Sequence, residues 1–121
     1  MRRGLHHVNV VVPPGATGDV LPFYASILGL VQVVRPADAG SPGGAWLEVA
    51  PGAQVHISER EGRPHPDAHF GLVVDDFDAV RRRLDEAGAP WTEQSPVLGG
   101  RRGFTRDPVG NRVEIIEAVE D

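Results

Sequence analysis

Four side chains able to bind a metal ion recur at matching points of a duplicated pattern. His7 opens the run His7-Val-Asn-Val-Val-Val12, and His69 opens His69-Phe-Gly-Leu-Val-Val74 roughly 60 residues later. His56 lies inside Gln54-Val-His-Ile-Ser58, and Glu114 occupies the equivalent place in Arg112-Val-Glu-Ile-Ile116. Imidazole and carboxylate together suit Zn, Ni, Co, Mn or Fe as divalent ions, and geometry more than affinity selects among these. Two His and one Glu leave open positions at which a metal can polarise a carbonyl or activate water. A Glu able to leave the metal can also act as a base beside a carbonyl. His7, His56, His69 and Glu114 are therefore the candidate metal ligands, with His56 and Glu114 the candidate catalytic acid/base groups.

Composition narrows the chemistry. The chain has 121 residues, a hydrophobic fraction of 40% and no Cys, so thiolate ligands, thiolate catalysis and disulfides are excluded. All 12 basic residues are Arg, which rules out a Schiff-base lysine, and the net charge of −5 speaks against a nucleic-acid partner. No apolar run approaches the roughly 20 residues of a membrane span. The opening Met1-Arg-Arg-Gly-Leu-His-His7 lacks the apolar core of a signal peptide, so a cytoplasmic protein is expected.

The elements that must position these residues follow from periodicity. Residues 5–12 read as a strand stopped by Pro13-Pro14-Gly15. A helix over 19–28 follows, with Thr17 or Asp19 as cap, Pro22 in its first turn and Gly29 as its stop. Val20, Phe23 or Tyr24, and Ile27 form its apolar face. Strands are predicted over 30–35, 45–50 and 54–59, with a Pro/Gly-rich loop over 36–44 that includes Ser41. After a polar linker, 60–68, the pattern repeats as a strand over 69–74, a helix over 76–87, and strands over 91–94, 103–107 and 111–118. Phe77, Val80, Leu84 and Ala87 make the second helix's apolar stripe. The order βαβββ, twice, predicts an α+β fold in one domain, 1–121, with modules over 4–59 and 69–118.

Strand alternation then sorts the faces. His7, Asn9 and Val11 share one face, as do His69, Gly71 and Val73; His56 and Glu114 point away from Val55, Ile57, Val113 and Ile115. The ligand-type residues should lie on the helix-free face of each curled sheet. His6 is expected to point opposite to His7, and His65 falls in the linker, so both are read as structural or solvated. Gly99-Gly100-Arg101-Arg102-Gly103 offers two arginines to an anion but lacks the strand–loop–helix setting of a phosphate loop. Residues 95–103 could form a flap, and Trp46, Phe70, Trp91 and Phe104 could line a pocket.

The sequence resembles the vicinal oxygen chelate superfamily, the glyoxalase I, bleomycin-resistance and extradiol-dioxygenase group. The motifs are Leu5-His-His-Val-Asn-Val-Val-Val12, Phe23-Tyr-Ala-Ser-Ile-Leu-Gly-Leu30, His69-Phe-Gly-Leu-Val-Val-Asp-Asp-Phe-Asp-Ala-Val80 and Asp107-Pro-Val-Gly-Asn-Arg-Val-Glu-Ile115. The resemblance implies paired βαβββ modules around a divalent metal held by residues matching His7, His69 and Glu114. A glyoxalase I type adds a fourth ligand, usually Glu, where this chain has His56. It further implies a homodimer, a small oxygenated substrate chelated by the metal, and lyase or isomerase chemistry. An extradiol dioxygenase, a thiol transferase and a non-catalytic drug-binding protein are the alternatives within the same group.

Overall fold

The computed structural model describes residues 1–40 and 42–120; Ser41 and Asp121 lie outside the described residues. It divides into two compact units, 1–64 and 65–121, with the boundary inside the predicted linker.

The first unit runs β1 (His7–Val12), α1 (Thr17–Pro22), a π-helical turn (Phe23–Ile27), β2 (Val31–Val33), β3 (Gly44–Ala50) and β4 (Ala53–Glu59). Its four-stranded sheet has the order β1-β4-β3-β2. β1 and β4 are parallel, with His7 beside Gln54 and Asn9 beside His56. The pairs β3–β4 and β2–β3 are antiparallel. The helix thus carries the chain from one edge of the sheet to the other, and the β2–β3–β4 meander returns it to β1. Val10, Val12, Val55, Ile57, Ala45 and Leu47 are buried on the helical side with Val20, Phe23 and Tyr24.

The second unit repeats this order as β5 (His69–Val74), α2 (Phe77–Glu86), β6 (Thr92–Gln94), β7 (Arg102–Arg106) and β8 (Arg112–Glu117). Its sheet order is β5-β8-β7-β6, with β5 parallel to β8. Asp76 caps α2, its side chain accepting from the Ala79 N–H at 3.0 Å. Phe77, Val80 and Leu84 are buried as the spacing predicts. Ala87 is instead the exposed C-cap, because the helix ends one residue earlier.

The first helix departs from expectation. It begins at Thr17, so Pro22 is its sixth residue and not part of its first turn. Pro22 has no N–H to offer the preceding turn, and the ladder widens just after it. The Leu28 N–H bonds the Phe23 carbonyl at 3.0 Å, an i→i−5 step. This added residue brings Phe23, Tyr24 and Leu28 into the core and leaves Ile27 only half-buried. Gly29, at φ 78°, then lets Leu30 bond back to Tyr24.

Neither Thr17 nor Asp19 caps this helix; Ala16 holds the N-cap position without a side-chain bond. The Glu59 carboxylate, at the end of β4, does the work. It accepts from the Gly15 N–H at 2.8 Å and the Thr17 hydroxyl at 2.6 Å. These bonds, led by that from Thr17, hold the Glu59 carboxyl below its ordinary value of 4.5. A depressed value stabilises the fold above the unfolded pKa, and that stabilisation disappears as pH falls through the folded one. Glu59→Gln should therefore lower the melting temperature at pH 7, and the two melting curves should converge in strong acid. Leu84→Ala, at a fully buried position, should cost about 3 kcal/mol in urea unfolding.

Candidate metal centre

The alternation expected from the strands is present in both units. In β1, His7 and Asn9 are on the open face while Val10 and Val12 are buried. Trp46, His56 and Asn9 are neighbours across β3, β4 and β1, and their side chains share that face. The Trp46 and His56 rings stack at 4.1 Å with an interplanar angle of 1°, and His7 stacks on the other face of His56 at 3.9 Å. This three-ring stack buries His56 to 7% exposure. The Gln54 side-chain oxygen lies 2.7 Å from His56 Nε2. With that oxygen as acceptor, Nε2 carries the proton and Nδ1 keeps a lone pair. Burial, and then the positive ends of His7, His6 and Arg35, push the His56 pKa below 6.5. Neutral imidazole, the form that binds metal or accepts a proton, is thereby favoured.

His6 does not turn away as alternation predicts. It lies just ahead of β1, and its Nδ1 sits 3.0 Å from Nδ1 of His7. His6, His7 and His56 present ligand-type atoms all within 4.8 Å of one another. The signal was the dipeptide His6-His7 itself: outside the ladder, strict alternation no longer applies. His65 accepts from the Asp67 N–H at 3.1 Å and serves the local turn.

In the second unit, His69 and Glu114 meet. His69 Nε2 is 3.2 Å from Glu114 Oε1. The His69 Nδ1 lies 3.0 Å from the Asp67 carbonyl, which can only accept, so Nδ1 carries a proton. Nε2 then faces a carboxylate oxygen and needs either its own proton or a cation between the two. Two ligand atoms each about 2.1 Å from one ion at near-right angles would be about 3 Å apart, so the pair fits a divalent metal. Glu114 is buried to 7% exposure, and its other oxygen accepts from Arg102 at 2.9 Å. Arg102 also donates to the Ser95 carbonyl at 2.8 Å. Sequence reasoning missed Arg102 as the partner of Glu114; Arg102 pairs with Ile116, two residues along β8, so the two are diagonal neighbours on one face. Gly71, beside Glu114 on β5, carries no side chain toward this space.

Other expectations sort out differently. Arg101 is not available to an anion: it donates to Glu117 at 2.6 Å and Asp78 at 2.9 Å. Trp91 packs edge-on against Phe77 of α2, under Arg81 and over Gly103, so it belongs to the helical side. Phe104 stands edge-on to His69 at 4.9 Å, on the open face. Phe70 is half-buried on β5.

The family model of the Glyoxalase/Bleomycin resistance protein/Dioxygenase superfamily matches residues 4–115. No functionally curated sequence matches the chain. Among solved structures, a protein described as of the glyoxalase family from Bacillus anthracis is 26% identical, with 98% of each chain covered and a TM-score of 0.86. A variant of the fosfomycin resistance protein FosX from Listeria monocytogenes, solved with manganese(II) and 1S,2S-dihydroxypropylphosphonic acid, is 18% identical over 98% of this chain and 95% of that one, at a TM-score of 0.79. Lactoylglutathione lyase from Agrobacterium tumefaciens is also 18% identical, covering 97% and 95%, at 0.70. At 18% the likeness is one of fold. With a family match across nearly its whole length, the chain belongs to the Glyoxalase/Bleomycin resistance protein/Dioxygenase superfamily.

Proposed function

We propose that residues 1–121 form one functional domain, a divalent-metal-dependent enzyme of this superfamily acting on a small oxygenated substrate by glyoxalase-like lyase or isomerase chemistry. His7, His69 and Glu114 hold the ion, and His56 is either the fourth ligand or the acid/base group. The observation that carries this reading is the 3.2 Å approach of His69 Nε2 to a buried Glu114 oxygen, with the far side of each residue already bonded. A divalent ion there supplies Lewis acidity to neighbouring substrate oxygens. The chain's own residues do the rest. The Asp67 carbonyl fixes the His69 tautomer, and Arg102 orients Glu114 and offsets its buried charge. His56, kept neutral and held by Gln54, can take a proton at Nδ1 and return it. The homodimer and the cytoplasmic location belong to the same proposal; no helix among the described residues is long and apolar enough to cross a membrane.

A second reading rests on the Trp46–His56–His7 stack, a ready surface for a planar drug or metabolite bound without catalysis. Affinity for such ligands that survives chelation of all metal would favour it.

Elemental analysis of purified protein should find stoichiometric metal, lost in His69→Ala and Glu114→Ala. Adding Ni²⁺, Mn²⁺, Zn²⁺ or Fe²⁺ at a hundredfold excess over Kd should stabilise the metal-free native protein by about 2.7 kcal/mol. Absence of metal and of any thermal shift would sink the proposal. Metal lost with His6→Ala but retained in Glu114→Ala would replace this ligand set by the histidine cluster of the first unit. Arg102→Met should leave a buried carboxylate uncompensated and cost the metal-free protein about 3 kcal/mol in urea unfolding.

A further inference from the structure

The second unit contains a cavity of about 270 Å³ lined by Asp67, Pro90, Thr92, Phe104, Thr105, Arg106 and Arg112. Its position follows from strand register. Thr92 on β6 pairs with Phe104, Phe104 pairs with Glu114, and Arg106 pairs with Arg112, so these side chains share the Glu114 face. Arg112 stands directly across from His69 on β5. The cavity is therefore continuous with the face that presents His69 and Glu114.

The two arginines differ from others in this unit. Arg101 and Arg102 spend their guanidinium groups on carboxylates at hydrogen-bond distance. Arg106 is held by two main-chain carbonyls, Gly110 at 3.0 Å and Pro66 at 3.2 Å, and forms no ion pair among the described residues. The Arg112 guanidinium carbon sits over the Phe104 ring, 3.5 Å from its centroid. Among the described residues its one ion-pair partner is Asp67, 3.6 Å away, and that side chain is 81% exposed. Two cations against one solvated carboxylate leave this cavity positive in a chain whose net charge is −5. Both guanidinium groups are held in place before any ligand arrives, one by carbonyls and one by stacking, so little side-chain entropy is lost on binding. Planar forks of this kind match an oxyanion, and the Thr92 hydroxyl adds a neutral donor.

We infer that the Thr92–Arg106–Arg112 cavity binds the anionic group of a small ligand, a carboxylate or a phosphate. Where the metal proposal holds, on which the substrate assignment alone rests, this cavity selects a small oxygenated acid as substrate. The cavity, at about 270 Å³, lies just below the usual range of small-ligand pockets, which suits a small acid.

The test uses the full chain stripped of metal with a chelating resin and dialysed free of any chelator, so that binding depends on neither a metal nor a competing polycarboxylate. Lactate and inorganic phosphate are titrated separately at constant ionic strength, followed by ¹H–¹⁵N NMR of main-chain and arginine Nε signals. Saturable shifts confined to Thr92, Phe104, Arg106 and Arg112 are expected, and the tighter of the two probes identifies the anion class. Arg106→Met and Arg112→Met should each weaken binding at least tenfold, while Arg82→Met, which removes an exposed charge on α2 away from the cavity, should leave it unchanged. Unsaturable or scattered shifts, or affinity unchanged from the native protein in both arginine variants, would overturn the inference. Should Arg106→Met fail to fold, Arg112→Lys and Thr92→Val carry the test: binding at least threefold weaker supports it, and unchanged binding overturns it. Anion binding without metal uptake would fail the metalloenzyme proposal alone; metal uptake without anion binding would fail this one alone.

Discussion

Parallel strands cannot be joined by a tight turn, and each unit pairs its first strand in parallel with its last. The chain must therefore cross the sheet, and in both units it does so through a helix that covers one face. That single constraint decides which side of every strand is dry. Val55, Ile57, Val113 and Ile115 go to the helix, with exposures of 1% or less. His7, His56, His69 and Glu114, offset from them by one residue, have no choice but the other face. Slipping β4 or β8 by one position would bury the imidazole or carboxylate under the helix and expose the aliphatic set.

On that face the two units solve different electrostatic problems. The first buries a histidine, which needs no counter-charge if it stays neutral. Stacking between Trp46 and His7 excludes water, and crowding by other cationic groups holds the proton off. The second buries a carboxylate, which stays charged and must be paired. Arg102 meets one oxygen and His69 approaches the other. The arginines beyond them form a gradient of commitment. Arg101 and Arg102 are tied to carboxylates, Arg112 is loosely paired over an aromatic ring, and Arg106 is bonded, among the described residues, to two carbonyls. Charge left uncommitted at a preformed cavity is how a rigid sheet can offer affinity for an anion without rearranging.

Much of this was legible in the chain. The βαβββ order, the strand over 69–74, the Asp76-led second helix and the sorting of faces all follow from period-2 and period-3.6 patterning, because burial on one side acts on every residue of an element at once. The misreadings cluster at element ends and at single side chains. Pro22 was read into the first turn because proline is at home there, but Glu59, distant in sequence, pulls the helix start back to Thr17 by supplying its N-terminal acceptor. Ala87 and Ile27 lost their predicted burial through shifts of one residue. His6 was assigned to the opposite face by a rule that holds only within a ladder.

The sequence by itself determined the fold class, the faces and the set of ligand-type residues, since these depend on spacing along the chain. Only the tertiary structure decided which of those residues touch and what each is bonded to. The stacking of Trp46 on His56 and the pairing of Arg102 with Glu114 depend on neighbours brought together by strand register, and Arg106 is held by carbonyls of two turns. A guanidinium reaches across several residues on a flexible stem, so its partner is chosen by which acceptor lies within a few ångströms in space. Sequence spacing does not encode that distance.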